Sequence, residues 1–281
     1  MADPFDFDKP DRYAVMGNPV AHSRSPRIHA LFAHQFGHRI EYTAIQVDVG
    51  GFAQAVEHFR GHGGRGLNVT VPFKQDAFRL ADHLSDRARI AQAVNTLRFE
   101  ADGRLFGDNT DGAGLVHDLE KNLRLNLKDR RILILGAGGA VRGVLQPLLH
   151  RHPALIVIAN RTVSKAKELA GEFAPYGRLE ASGFEALKGK HFDLVINGTA
   201  ASLKGEIPPL PDNLFTTHGL AYDMMYGDKA RPFLDWSAVH GAETVTDGLG
   251  MLVEQAAESY FIWREVRPET RSVIEKLRQE G

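Results

Sequence analysis

Residues 131–136 read Arg-Ile-Leu-Ile-Leu-Gly, and the chain runs straight on into Ala-Gly-Gly-Ala-Val-Arg-Gly. A near-continuous apolar run of this length fits a strand covered on both faces, as in a parallel sheet. A glycine-rich turn that opens a helix is the next step of a βαβ unit. The rhythm then repeats through "LIVIAN", "FDLVING", "LAYDM" and "ETVTDG", with helical patterns between the runs. This alternation predicts an α/β chain whose later part is a doubly wound nucleotide-binding unit of Rossmann type.

The earlier part has the same alphabet in a less regular order. "RYAVMG" ends in a Gly-Asn-Pro turn, and a helix is predicted from Pro26 with Ile28, Leu31, Phe32 and Phe36 on one face. "EYTAIQVD" and "GLNVTV" read as strands, and "TLRFEADGRLFG" as a hairpin with Asp102-Gly103 at its tip. The closing stretches "GMLVEQAAESYFIW" and "PETRSVIEKLRQEG" read as helices. Two α/β domains are therefore expected. The first covers residues 1–111, with the closing helices of 249–281 returning to it, and the Rossmann-type domain covers 112–248.

With 43% apolar and 25% charged residues and a net charge of −1, the chain can bury a core and has no basic face that would suit nucleic acid or an acidic membrane. It has no cysteine, which removes disulfides, thiolate nucleophiles and thiolate metal sites together. No apolar run approaches the ~20 residues of a membrane span. The opening "MADPFDFDKPDR" lacks the basic start and apolar centre of a signal peptide. A frayed surface tail and a cytoplasmic location are expected. Three glycosylation triplets, at Asn68, Asn160 and Asn197, are then expected to stay unmodified. Each lies at the end of an apolar run, where an open α/β sheet binds ligands.

The turn Gly136-Ala137-Gly138-Gly139-Ala140-Val141-Arg142 brings backbone N–H groups to a helix N-terminus, where a pyrophosphate is favoured. Val141 stands where G-x-G-x-x-G has its last glycine. About twenty residues past such a turn, an NAD site places an acid on the ribose hydroxyl. Here the chain has Asn160-Arg161-Thr162, then Lys165, and no acid until Glu168. An arginine at that place binds a 2'-phosphate and an acid repels one, so NADP(H) is favoured over NAD(H). An arginine solvated at a strand end is the competing reading.

There is no H-E-x-x-H pair for zinc and no G-x-S-x-G elbow, and no metal is expected. His22 and His29 read as surface or partly packed residues. Lys74 and Asp111 remain as candidates for proton transfer. Lys74 follows Pro72 and enters the first turn of a predicted helix, whose dipole disfavours a charged amine there. A carboxylate partner would act the opposite way. Each has a plain alternative: an exposed helix lysine for Lys74, and for Asp111 the N-cap of the helix carrying Leu115, Val116 and Leu119. Spacing alone does not pair them. Ser25 before Pro26 reads as an N-cap, whereas Ser23 has no such local role. Gln255 is polar within an otherwise apolar helix.

The motifs "YAVMGNPVAHSRSP", "NVTVPFK", "AVNT", "GDNTDG", "ILILGAGGAVRG", "NRT", "YDMMY" and "DGLGMLVEQAA" resemble, in order and nearly end to end, the shikimate dehydrogenases. These are NADP-dependent enzymes of aromatic amino-acid biosynthesis that reversibly reduce 3-dehydroshikimate to shikimate. The resemblance implies a substrate-binding first domain and an NADP(H)-binding second domain. It implies that Ser23 and Ser25 hold the substrate carboxylate, with Thr70 and Tyr226 nearby. Asn68, Asn95, Asp111, Lys74 and Gln255 would meet the rest of the substrate, and Lys74 with Asp111 would be the catalytic pair. Gly136, Ala137, Gly138, Gly139 and Ala140 would meet the pyrophosphate. Asn160, Arg161, Thr162 and Lys165 would surround the 2'-phosphate, and Thr199, Met224 and Gly248 would line the nicotinamide. Ala200 stands where the family often has serine. Lys165 stands where arginine is common, a point charge in place of a bidentate fork. Two rivals are a quinate/shikimate dehydrogenase with broader substrate or NAD use, and a non-catalytic sensor of NADP(H) or shikimate. A monomer or homodimer is expected, with no nucleic-acid or membrane partner.

Overall fold

The computed structural model describes residues 9–201 and 205–280. Residues 1–8 of the expected tail lie outside it. The last two residues of that segment, Asp11 and Arg12, are not tail at all, because they open the first strand. The chain forms two compact units: one comprises everything up to Thr110 together with Gln255–Gln279, and the other contains Asp111–Glu254. The second division falls six residues beyond 248, the expected edge of the nucleotide domain.

The first unit runs β1 (Asp11–Gly17), α1 (Ser25–Phe36), β2 (Ile40–Gln46), α2 (Phe52–Gly61), β3 (Gly64–Val69), α3 (Lys74–Leu80), β4 (His83–Leu84), α4 (Asp86–Ala91), β5 (Thr96–Phe99) and β6 (Leu105–Asp108). Its six strands lie in the order β2-β1-β3-β5-β6-β4. β1 is parallel to β2 and β3, while β5 is antiparallel to both β3 and β6. The β5–β6 pair is the expected hairpin. Gly103 at its tip takes a φ of 87°, which favours glycine, and Asp102 caps the turn by accepting the Arg104 N–H at 3.1 Å. Met16, Val56, Leu67, Phe73, Val94 and Leu97 form the core against the sheet.

The buried face of α1 differs from the apolar pattern. Ile28 and Phe32 are buried as expected, but His29 and Ala33 join them, and Phe36 is exposed. The reason is aromatic packing: the His29 ring stacks flat on Tyr42 at 4.3 Å and meets Phe32 edge-on at 5.9 Å. Burial pushes the imidazole pKa down to about 3, only partly opposed by Asn68.

The second unit continues with α5 (Asp111–His117), a single π turn (Asp118–Asn122), β7 (Arg131–Leu135), α6 (Gly139–Leu149), β8 (Leu155–Ala159), α7 (Val163–Phe173), β9 (Leu179–Ser182), β10 (Phe192–Asn197), β11 (Phe215–Asp223), α8 (Arg231–Val239) and β12 (Thr244–Thr246). The sheet order is β12-β11-β10-β7-β8-β9, every neighbouring pair parallel. Counted from β7, this is the doubly wound order, with its switch point between β7 and β10. β7, β8 and β10 are buried almost throughout, which is why they read as unbroken apolar runs. β9 escapes the sequence pattern because it is a four-residue edge strand with only Ser182 buried.

Helices α9 (Leu249–Arg264) and α10 (Arg271–Gln279) close the chain, and the division between units falls inside α9. The first two turns of α9 pack on a buried polar cluster in the second unit. Asp118 accepts the Tyr222 hydroxyl at 2.7 Å and the Asn122 amide at 2.9 Å, and Asn122 also reaches Glu254 at 3.0 Å. Gly250 is required beside it, since a Cβ there would lie 2.0 Å from the Asp118 carboxylate. Among the described residues no helix is long and apolar enough to cross a membrane.

Candidate active site

In the first unit Asn68, Thr70 and Asn95 sit at or beside strand ends, while Ser25 and Lys74 open helices and Gln255 lies within α9. β3 stops at Val69, so Thr70 lies beyond it in the turn, held by its N–H to Met16 O at 2.9 Å. Asn68 is thus within β3 and Thr70 outside it. Lys74 is the first residue of α3, half-buried, and its carbonyl accepts the Val94 N–H at 2.9 Å. Ser25 is the first residue of α1 and is buried. Ser25 does not act as the N-cap: Arg24 holds that place, and Ser25 N–H donates to the Ser23 hydroxyl at 3.2 Å. Ser23 thus has the local role that the sequence reading denied it.

Asn68, Asn95 and Gln255 are brought together in one hydrogen-bonded chain. Asn68 Nδ2 lies 3.2 Å from Asn95 O and 2.9 Å from Ser259 Oγ. Asn95 Nδ2 lies 3.3 Å from Gln255 Oε1. The sequence reading missed the hydroxyls that link them, Thr96, Thr110 and Ser259. The first two stand inside the quoted motifs "AVNT" and "GDNTDG", but small hydroxyl residues are too common at turns to single out alone. Asp108, in the same "GDNTDG" segment, is taken by a two-pronged ion pair with Arg87, both contacts at 2.7 Å.

In the second unit, the turn from β7 to α6 is built for close backbone approach. Gly136 has φ of 104°, and a Cβ on it would lie 3.0 Å from Gly198 O, just past the neighbouring β10. Gly138, Gly139 and Ala140 are exposed, and a Cβ on either glycine meets nothing within 4 Å. Val141 is buried; a Cβ on Gly198 would meet it at 2.7 Å. Packing thus explains the valine in place of the last glycine of the fingerprint. Arg142 points elsewhere: it forms a bidentate pair with Glu172 at 2.6 and 2.7 Å, and that pair lowers the Glu172 pKa.

Just past β8, Asn160 closes a local turn by donating to Thr162 O at 2.9 Å, while Arg161, Thr162 and Lys165 are exposed. Neither Arg161 nor Lys165 makes an ion pair among the described residues. Past β10, Asn197 accepts from the Thr199 hydroxyl at 2.8 Å and donates to Asp223 at 2.8 Å, which ties the ends of β10 and β11. Gly248 allows the chain to pass Met224, whose carbonyl would lie 2.5 Å from a Cβ there. Tyr226 is half-buried and precedes a short 3-10 turn. Asp111, the first residue of α5, is buried. The open turn, the helix N-terminus behind it and the exposed cations past β8 fit an anionic dinucleotide with a 2'-phosphate.

A parallel sheet in doubly wound order, with this turn at its switch point, defines a dinucleotide-binding α/β protein. Residues 15–97 match the family description "Shikimate dehydrogenase substrate binding domain", 118–204 match "Shikimate / quinate 5-dehydrogenase", and 248–278 match "Shikimate 5'-dehydrogenase C-terminal domain". The chain belongs to the shikimate dehydrogenase family. It is 57% identical to the "Shikimate dehydrogenase (NADP(+))" of Cellvibrio japonicus over 96% of this chain and 98% of that one. It is 60% identical to the protein of the same name from Chromohalobacter salexigens, again over 96% and 98%. A solved shikimate 5-dehydrogenase from Thermus thermophilus, in complex with NADP(H) and shikimate, superposes with a TM-score of 0.85 at 33% identity, covering 96% of this chain and 99% of that one.

Proposed function

We propose that this protein catalyses the reversible, NADP(H)-dependent interconversion of 3-dehydroshikimate and shikimate, in aromatic amino-acid biosynthesis. Near-full-length identity to relatives named for that activity carries the reading. Arg161 past β8 supports NADP(H) over NAD(H), and the amide chain of the first unit supports a small, oxygen-rich substrate. When bound, NADPH supplies the hydride to the ketone carbon. In this reading Lys74 gives the proton to the forming alkoxide and steadies its charge, and Asp111 orients the amine. Ser23 and Ser25 hold the carboxylate, with Thr70 and Tyr226 beside them. Asn68, Asn95 and Gln255 set the hydroxyls. Gly136 to Ala140 cradle the pyrophosphate, Asn160, Arg161, Thr162 and Lys165 bind the 2'-phosphate, and Thr199, Met224 and Gly248 line the nicotinamide. The proposal includes a cytoplasmic location and a monomer or homodimer.

The test is absorbance at the NADPH band with shikimate and NADP+ supplied. Turnover with NADP+, far faster than with NAD+ or with quinate, is the expected result. Shikimate binding with no turnover would instead make the protein a sensor, and efficient turnover of quinate or NAD+ would favour the broader enzyme.

A further inference from the structure

We propose that Thr96 and Ser259 are positioning residues that set substrate affinity by holding in place the Asn68, Asn95 and Gln255 carboxamides, whose orientations neighbouring groups of fixed polarity decide. The inference rests on the functional reading above and specifies how its substrate unit works. A carboxamide has a donor end and an acceptor end of nearly equal shape, so an amide in a binding site selects a ligand group only if something holds it from flipping. Here the anchors are backbone groups with one possible role. The Thr110 N–H can only donate, and it points at Asn95 Oδ1 at 2.9 Å. That makes Oδ1 the acceptor end, and the Thr96 and Thr110 hydroxyls crowd the same atom at 3.0 and 3.1 Å.

The other end of Asn95 is then the donor, and it meets Thr110 Oγ1 at 2.9 Å and Gln255 Oε1 at 3.3 Å. The Thr110 hydroxyl also lies 3.3 Å from Gln255 Oε1. The Asn95 Nδ2 can only donate, so it makes Oε1 the near end of Gln255, and the orientation of Gln255 follows from that of Asn95. The same logic runs through Asn68. Its Nδ2 faces Asn95 O, which can only accept, and its Oδ1 accepts the Tyr42 hydroxyl at 2.8 Å.

Two hydroxyls join these amides into one unit. Thr96 Oγ1 lies 3.2 Å from Asn68 Nδ2, and Ser259 Oγ lies 2.9 Å from it. The two hydroxyls are 2.8 Å apart. Ser259 also donates to the carbonyl of Gln255, one turn back on α9, at 3.0 Å. Thr96 and Ser259 are both fully buried, so water does not replace these bonds when one is removed. Hydrogen bonds in such a closed group reinforce one another, and the loss of one hydroxyl loosens both ligand-facing amides.

The experiment uses the full-length protein with Thr96→Val and Ser259→Ala, and the conservative Thr96→Ser and Ser259→Thr. Shikimate affinity is measured by calorimetry, which needs no turnover, and by steady-state KM. The loss of one neutral hydrogen bond corresponds to roughly a two- to tenfold weakening. We expect a rise of that size in Kd and KM for shikimate in both removal variants, an unchanged KM for NADP+, and recovery in the conservative ones. Unchanged shikimate affinity in folded Ser259→Ala and Thr96→Val, whatever happens to their melting temperatures, overturns the proposal. So does an equal loss of affinity for shikimate and NADP+, which marks general destabilisation. If Thr96→Val does not fold, the Ser259 pair decides by the same criteria. A wild-type protein that binds shikimate without oxidising it refutes the assigned activity while leaving this test intact.

Discussion

Candidate ligand groups are arranged in opposite ways in the two units. In the first, Asn68 and Asn95 are buried and satisfied by a closed set of amides and hydroxyls. In the second, the glycine turn lies open and Arg161, Thr162 and Lys165 stand in solvent. The difference follows from the ligands each arrangement suits. A multiply charged phosphate group is held well by exposed cations and backbone N–H groups, because charge-assisted bonds survive contact with water. The hydroxyls of a small polyol carboxylate are neutral, and these are told apart by polar groups that are already desolvated and oriented.

This comparison can be broken at its chemistry first. Lys74→Ala is expected to lower kcat by roughly 10²–10⁴-fold, the usual share of a general acid, with a much smaller change in KM. Steady-state kinetics with saturating NADP+ checks it, and an unaltered kcat removes Lys74 from the mechanism. The exposed side is next. Arg161→Ala should weaken NADP+ by roughly ten- to a hundredfold, the value of a charged hydrogen bond, and leave NAD+ little affected. Parallel loss for both cofactors would mean that Arg161 does not read the 2'-phosphate.

The smallest effect concerns the buried side. His29 is neutral in the fold because burial pushes its pKa down to about 3 from an ordinary 6.5. As pH falls below 6.5 the unfolded chain takes up a proton that the folded chain refuses. Stability is therefore fully retained above the unfolded pKa and declines toward the folded one, by up to about 1.4 kcal/mol for each pH unit. Thermal melts of wild type and His29→Phe between neutral and mildly acidic pH should diverge in slope, the variant being the flatter. Parallel slopes would show that His29 is protonated in the native state.

How legible each region was in the sequence follows the same division. The β7–β8–β10 sheet was plain because strands covered on both faces must be apolar at every position. β9 was invisible because an exposed four-residue edge strand carries no such demand. Arg161 was readable as a candidate because its meaning depends on distance along the chain from the glycine turn. Thr96, Thr110 and Ser259 were not, since each becomes informative only beside a partner from another element. His29 was misjudged as surface or partly packed, because the pattern of α1 does not show that the rings of Tyr42, Tyr260 and Trp263 surround it.

By itself the sequence determined the α/β class and marked the glycine turn and Arg161 as candidates for a phosphate-bearing nucleotide, since periodicity and local turn chemistry act over short stretches of chain. The Lys74 candidacy also came from that level, through its place after Pro72. Tertiary structure decided which polar residues meet: that Asn68 serves a chain reaching Gln255 across α9, that Arg142 is spent on Glu172, and that Ser23 caps its own turn. A hydrogen bond forms over about three ångströms, and residues far apart in sequence reach that distance only once the elements of their own unit have packed.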